Sequence, residues 1–205
     1  SYPQEPLCDL IEAHPFLFPG FRRPQLPYRP KLHPISDSST SFTDDFGCVW
    51  HTAVDGLLGT VVKHPLADWD RPDGFRWPDP EVSNGLTPVD WPATARGMAQ
   101  AKQEGRLAAG SLRHGHTFLQ LSDLRGYQNL LCDMADGEPR LHDLIEGLTQ
   151  FNLRIVEKYI AMGVELMAYP EDLGMQLGPM LSPAHLRAYI RPAYERLMAP
   201  ARERG

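Results

Sequence analysis

Apolar positions recur at helical spacing most clearly over residues 139–162, where Leu141, Leu144, Ile145, Leu148, Phe151, Ile155, Val156, Tyr159 and Ile160 share one face. This predicts a long amphipathic helix, stopped by Gly163. Two shorter runs flank it, residues 106–111 with Leu-Ala-Ala-Gly at their centre and residues 164–169, and both read as short buried strands. Residues 117–134 read as one or two helical segments interrupted at Gly126. Upstream, Asp90 can cap a helix that runs to about Glu104 and ends at Gly105. After the second strand a glycine-bearing loop leads to Ser182-Pro183, a helix start, because the serine hydroxyl can accept from an orphan N–H and proline lacks one. The last helix should reach Arg202, bent or broken near Pro192. Strands alternating with helices predict an α/β fold with a parallel sheet.

The first part of the chain follows different rules. Fourteen of the 20 prolines lie in residues 1–92, which favours turns and extended segments over long helices. Residues 8–13 can form a short helix ending before His14-Pro15, and residues 16–34 an extended path. Residues 47–52 and 59–63 are β-prone and joined through Asp55-Gly56, a hairpin signal. The expected organisation is a Pro-rich, hairpin-bearing segment over residues 1–89, followed by βα units over residues 90–205, as parts of one incomplete domain.

A formal charge of −6 without a clustered basic run argues against nucleic acid as a partner. No apolar stretch approaches the ~20 residues that span a bilayer, and the first 30 residues lack the pattern of a signal peptide. Cys8, Cys48 and Cys132 are odd in number and far apart, so they imply neither a disulfide framework nor a zinc site. They read as small buried hydrophobes in a cytoplasmic protein.

Candidate chemistry gathers where the two strands end. Glu171 and Asp172 follow Tyr169-Pro170, and adjacent acids at a strand end point in different directions, so only one is expected to enter a given pocket. Either could accept from a ligand N–H or move a proton. Without chemistry, Asp172 would cap a turn and Glu171 would be solvated. Gln176 could add an amide contact from the same loop. His114 and His116 follow the other strand; an extended His-x-His could hold a metal, but no third ligand stands nearby, so no metal is assigned and His116 is read as a substrate contact. Asp45 and Trp50 flank the hairpin and could cover a flat ligand, with Trp50 otherwise a packing anchor. Neither a Gly-rich nucleotide loop nor a nucleophile elbow occurs.

Several of these stretches together resemble the uroporphyrinogen decarboxylase superfamily: Pro170-Glu171-Asp172-Leu173-Gly174 with Ser182-Pro183, Asp45-Phe46-Gly47-Cys48-Val49-Trp50 with His64-Pro65-Leu66, and Leu121 to Leu130 with its Arg125-Gly126-Tyr127. The resemblance extends from about Asp9 to the end of the chain. It implies a partial (β/α)8 barrel, with catalytic Asp172 and Glu171 and substrate contacts from Gln176, His116, Asp45 and Trp50. Two departures separate the chain from the haem-pathway decarboxylases. Ser122 stands where they carry a tyrosine, and their arginine-rich N-terminal motif has only an echo in Phe21-Arg22-Arg23. The closer branch is that of the corrinoid-linked methyltransferases, which implies a small methylated or methyl-corrinoid substrate, a corrinoid protein as partner, and zinc and corrinoid as cofactors of a longer protein. A decarboxylase of porphyrin synthesis and an inactive half-barrel serving as an interaction module are the alternatives. A closed barrel needs eight strands and about 250 residues, so the chain reads as an N-terminal portion that, standing alone, would cover its open sheet face by oligomerising or remain only marginally stable.

Overall fold

The computed structural model describes residues 4–27, 41–53 and 58–204. Its elements, in chain order, are α1 (Gln4–Ala13), β1 (Phe42–Thr43), β2 (Val49–His51), β3 (Thr60–Lys63), α2 (Trp91–Gln103), β4 (Ala109–Ser111), α3 (Phe118–Arg125), α4 (Tyr127–Asp136), α5 (Pro139–Ala161), β5 (Leu166–Ala168), β6 (Gly174–Met175), β7 (Gly178–Pro179), α6 (Pro183–His185) and α7 (Arg191–Arg202).

The long periodic stretch is α5, and it buries Leu141, Leu144, Leu148, Phe151, Ile155, Val156 and Ile160. Helix α7 packs against it, adding Ala193 and Leu197 to the core. Asp90 caps α2 by accepting from Ala93 N at 2.8 Å. Gly126, at φ +86°, lets the chain leave α3 and start α4 at once. Ser182 caps the final helical stretch through His185 N at 3.1 Å. Pro192 has no N–H to return to the preceding turn, and the backbone there opens into a π-helical stretch over Leu186–Ile190.

β4 and β5 pair in parallel, with Ala109 opposite Leu166 and Ser111 opposite Ala168. The fold is therefore α/β. Among the described residues these two strands form the whole parallel sheet, and no closed barrel is present. The two strands are not buried on both faces as expected. Ala108, Gly110 and Leu112 face the helices, whereas Leu107 and Leu166 are more than half exposed and Ala109, Ser111 and Ala168 share their open side. Gly110 is required for close approach, since a Cβ there would lie 2.5 Å from the Tyr159 ring.

The hairpin segment shares this core. β2 pairs antiparallel with β3 and with β1; the Asp55-Gly56 turn lies outside the described residues. Phe46 meets Phe151 of α5 edge-on at 5.2 Å. The short N-terminal helix starts a turn before the expected residue 8, since Pro6 is tolerated in a first helical turn. Residues 16–20, expected to be extended, instead turn back on the helix end, with Leu17 N bonded to His14 O at 3.0 Å. The glycine-bearing loop after β5 contains the small antiparallel pair β6–β7.

Candidate functional site

Both parallel strands run out at the same edge, and the residues following them meet there. Glu171 and Asp172 diverge as alternation requires, but with the opposite fates to those of the simplest reading. Glu171 turns inward, and its carboxylate accepts from the backbone N–H groups of Thr117, Phe118 and Leu119 at 2.8, 2.9 and 3.3 Å. These are the orphan donors that open α3, so Glu171 caps a helix supplied by the other βα unit. Tyr194 OH also donates to it at 3.2 Å, and burial, reinforced by the neighbouring Glu171 charge, pushes the Tyr194 phenol well above its usual range. Glu171 is thus a structural cap, its oxygens committed to protein donors.

Asp172 points outward, its side chain about two-thirds exposed, and lies 3.4 Å from His114 Nε2. The two strand ends do bring an acid and an imidazole together, but the imidazole is that of His114. His116 turns the other way and is 1% exposed. Its Nδ1 shares a 2.7 Å hydrogen bond with Thr117 Oγ1, its carbonyl accepts from Asn152 Nδ2 at 2.7 Å, and its ring packs against Tyr169 and Tyr194. Burial holds it down at about 4, outweighing the opposite pull of the Tyr169 backbone, so it is a neutral core histidine. The substrate contact expected of His116 is therefore displaced to the core by its own burial. The His-x-His pair also cannot share a metal, because its members point apart.

A cleft of about 490 Å³ opens beside this edge, lined by β3, the residues after β4, and α3. Its polar groups include His64, Arg113, His114, Ser122, Asp123 and Tyr127. Leu121 and Leu124 anchor α3 in the core, and the residues between them, Ser122 and Asp123, are left at the cleft wall. Burial raises the Asp123 carboxyl to about 7; Arg113 opposes the shift, while Asp44 and Glu171 add to it. Arg113 Nη2 stands 3.5 Å from Asp123 Oδ2, and both side chains are largely enclosed.

Trp50 lines the cleft while 5% exposed. It stacks on Phe42, has the Arg113 guanidinium 6.0 Å from its ring, and donates to Asp44 Oδ2 at 2.8 Å. Asp44 is the buried acid of the hairpin. It also accepts from Phe46 N at 3.0 Å and Cys48 N at 2.9 Å, and desolvation outweighs those donors to raise its pKa. The expected Asp45 is exposed and accepts instead from the Ser83 hydroxyl, outside the cleft. Gln176 sits at the exposed tip of the β6–β7 hairpin beside the fully exposed Leu177, likewise away from the cleft lining. Cys8 and Cys48 are buried, the Cys48 thiol being pushed far up by desolvation and neighbouring acids, but Cys132 is exposed, against expectation.

Sequence reasoning missed Arg113 and Asp123. The cue to Asp123 was two polar positions, 122 and 123, between leucines spaced to face a core; Arg113 carried no such cue.

Two stretches that carry the resemblance meet behind the cleft. Arg125 is buried, bonds Asp133 Oδ2 at 2.7 Å and the Leu66 carbonyl at 2.8 Å, also reaches the Ala67 carbonyl, and lies over Trp69 at 4.6 Å. Leu66 N bonds Leu124 O at 2.9 Å, and His64 Nδ1 shares a 2.8 Å bond with Asp123 O. Among the described residues no three His, Cys, Asp or Glu side chains stand close enough to hold a metal, and no helix is long and apolar enough to cross a membrane. No family model, curated protein or solved structure matches the chain.

Proposed function

We propose that this chain forms the ligand-holding part of an enzyme of the uroporphyrinogen decarboxylase superfamily type, on the side of the corrinoid-linked methyltransferases, acting on a small methylated substrate or a methyl-corrinoid. The observation that carries the reading is the convergence of Arg113, His114, Ser122, Asp123 and Asp172 at the carboxyl-terminal edge of two parallel strands, the edge where α/β folds gather ligands and reactive groups. A volume of about 490 Å³ suits one small molecule. The alternation of β4, its helices and β5 supports the finer reading of a partial (β/α)8 barrel.

In this reading Asp123 holds or moves a proton at its carboxyl, Arg113 supplies a fixed positive charge, and Trp50 shields one wall from water. Asp172 and His114 form the outer rim. The zinc implied by the methyltransferase branch would need ligands from outside the described residues. A corrinoid, when bound, would supply the methyl-carrying centre.

The decarboxylase alternative is weakened by Ser122, which lines the cleft where the resemblance puts a tyrosine in the decarboxylases. The interaction-module alternative draws on the open side of β4–β5. The test is to mix the protein with methylcobalamin and, separately, with uroporphyrinogen. A corrin absorbance change without loss of uroporphyrinogen carboxylates supports the methyltransferase side. Formation of coproporphyrinogen overturns it in favour of decarboxylation, and inertness toward both removes the enzymatic reading.

A further inference from the structure

Arg113 and Asp123 stand together at the cleft wall, their facing groups in ion-pair range but without a hydrogen bond. Arg113 donates through Nη1 to Gln120 and at 3.4 Å through Nε to the His114 carbonyl. Its Nη2 is in ion-pair range of Asp123 Oδ2 at 3.5 Å, too long for a good hydrogen bond. Among the described residues the Asp123 carboxyl accepts and donates no hydrogen bond; only its backbone carbonyl is engaged, by His64 and Cys48. The Nη2 of Arg113 and the Asp123 carboxyl are thus adjacent, largely enclosed, and open to the same cavity, where each can take a ligand atom as a hydrogen-bond partner.

Most of the other charged and titratable groups around them are committed elsewhere, His64 through one ring nitrogen only. Asp44 is held by Trp50 and two backbone N–H groups, and Glu171 by the opening turn of α3 and Tyr194. Asp172 is paired with His114 at the rim, the Tyr127 hydroxyl donates to Met180 O at 2.8 Å, and the Cys48 thiol is kept neutral by burial. Among the described residues lining the cleft, Arg113 is the guanidinium whose Nη2 makes no hydrogen bond, its ion-pair contact there being Asp123.

We propose that Arg113 and Asp123 form a proton-coupled site for one oxyanion group of a small ligand, the guanidinium and the carboxylic acid donating to its two oxygens. The inference rests on the reading that the cleft is where the ligand sits, and it deepens that reading by naming the ligand chemistry. The protonated acid removes a negative charge from beside the anion and offers a donor in its place; the ionised form would repel it. That Asp123 holds its proton up to about 7 is consistent with this arrangement. His64 and His114, which also line the cleft, are the competing source of proton-linked charge.

The test follows the Trp50 indole and Arg113 Nε resonances of the full chain by NMR during titration with acetate, a planar carboxylate, and with sulfate, a tetrahedral oxyanion. Sulfate keeps its charge between pH 5.5 and 8.5, and acetate is anionic throughout apart from a small protonated fraction at the lowest pH. The expected result is binding at pH 5.5 that weakens roughly tenfold per pH unit above 7, with acetate favoured if the natural group is a carboxylate and sulfate if it is a phosphate. Asp123→Asn, which keeps a donor without a titratable charge, should bind the same probe with no such slope, and Arg113→Met should lose it. A slope that survives in Asp123→Asn assigns the proton to the histidines and overturns the proposal. So does equal wild-type binding at both pH extremes. If neither oxyanion binds but tetramethylammonium moves the same resonances, the oxyanion inference falls while the cleft reading stands. If no probe moves them, both fall.

Discussion

Two largely enclosed side chains make opposite demands on pH. Asp123 favours its protonated form in the fold, up to about 7 against an ordinary carboxylate value of 3.8. Between those values the folded chain keeps a proton that the unfolded chain has released, so this contribution is full at low pH and lost as pH rises through 7, on the order of 4 kcal/mol. His116 is held neutral, down to about 4 from 6.5. Its contribution is full above 6.5 and lost as pH falls toward 4, on the order of 3 kcal/mol. Over pH 4.5–6.5 the two slopes largely cancel. Asp123→Asn is therefore expected to unmask the histidine, with the melting temperature falling as pH drops from 7 to 4.5 more steeply than in the wild type. His116→Gln should show the reverse slope. Identical melting profiles for wild type and Asp123→Asn would mean that the Asp123 carboxyl is not raised. Both residues stand within stretches that reading the sequence marked, yet their environments could not be read there. Had the alternation of β4 continued, His114 and His116 would share one side; Gly115, at φ +73°, turns the chain between them, and Asn152 and Thr117 hold His116 in the core, partners that periodicity does not identify.

At the scale of elements the sequence was more informative. Helical spacing in residues 139–162, Gly126 between α3 and α4, and the caps at Asp90 and Ser182 all signal through neighbouring residues and local backbone geometry, which is why they survive without tertiary context. The joint between α3, α4 and the 64–67 segment does not, since Arg125 makes it with residues 58 and 59 positions away. Arg125→Ala would leave Asp133 enclosed without its cation. A loss of about 3–5 kcal/mol is expected, read as a lower urea midpoint. Arg125→Lys should recover only part, because a single ammonium cannot reproduce the fork on Asp133 while lying flat on Trp69. Equal midpoints for wild type and Arg125→Ala would remove the joint from the account of stability.

For the molecule as a whole, the open side of β4–β5 is the main asymmetry. Leu107 at 63% and Leu166 at 51% exposed stand on it beside Ala109, Ser111 and Ala168. The expectation that a second copy covers this face is checked by sedimentation velocity. Association that rises with concentration and disappears in the double variant Leu107→Lys with Leu166→Lys supports it, whereas unchanged behaviour of that variant places any association elsewhere. The Glu171 cap has a consequence of a kinetic kind. It joins residues 54 positions apart in the chain, so it forms only after α5 and β5 have brought both ends together, and closing so long a loop early is entropically unfavourable. Glu171→Gln should cost about 1 kcal/mol, typical of a helix cap. That cost should appear as roughly fivefold faster unfolding with an almost unchanged refolding rate. The edge of the molecule that holds Arg113 and Asp123 would then be the last region to assemble and the first to open, and amide exchange at Thr117, Phe118 and Leu119 would report that opening directly.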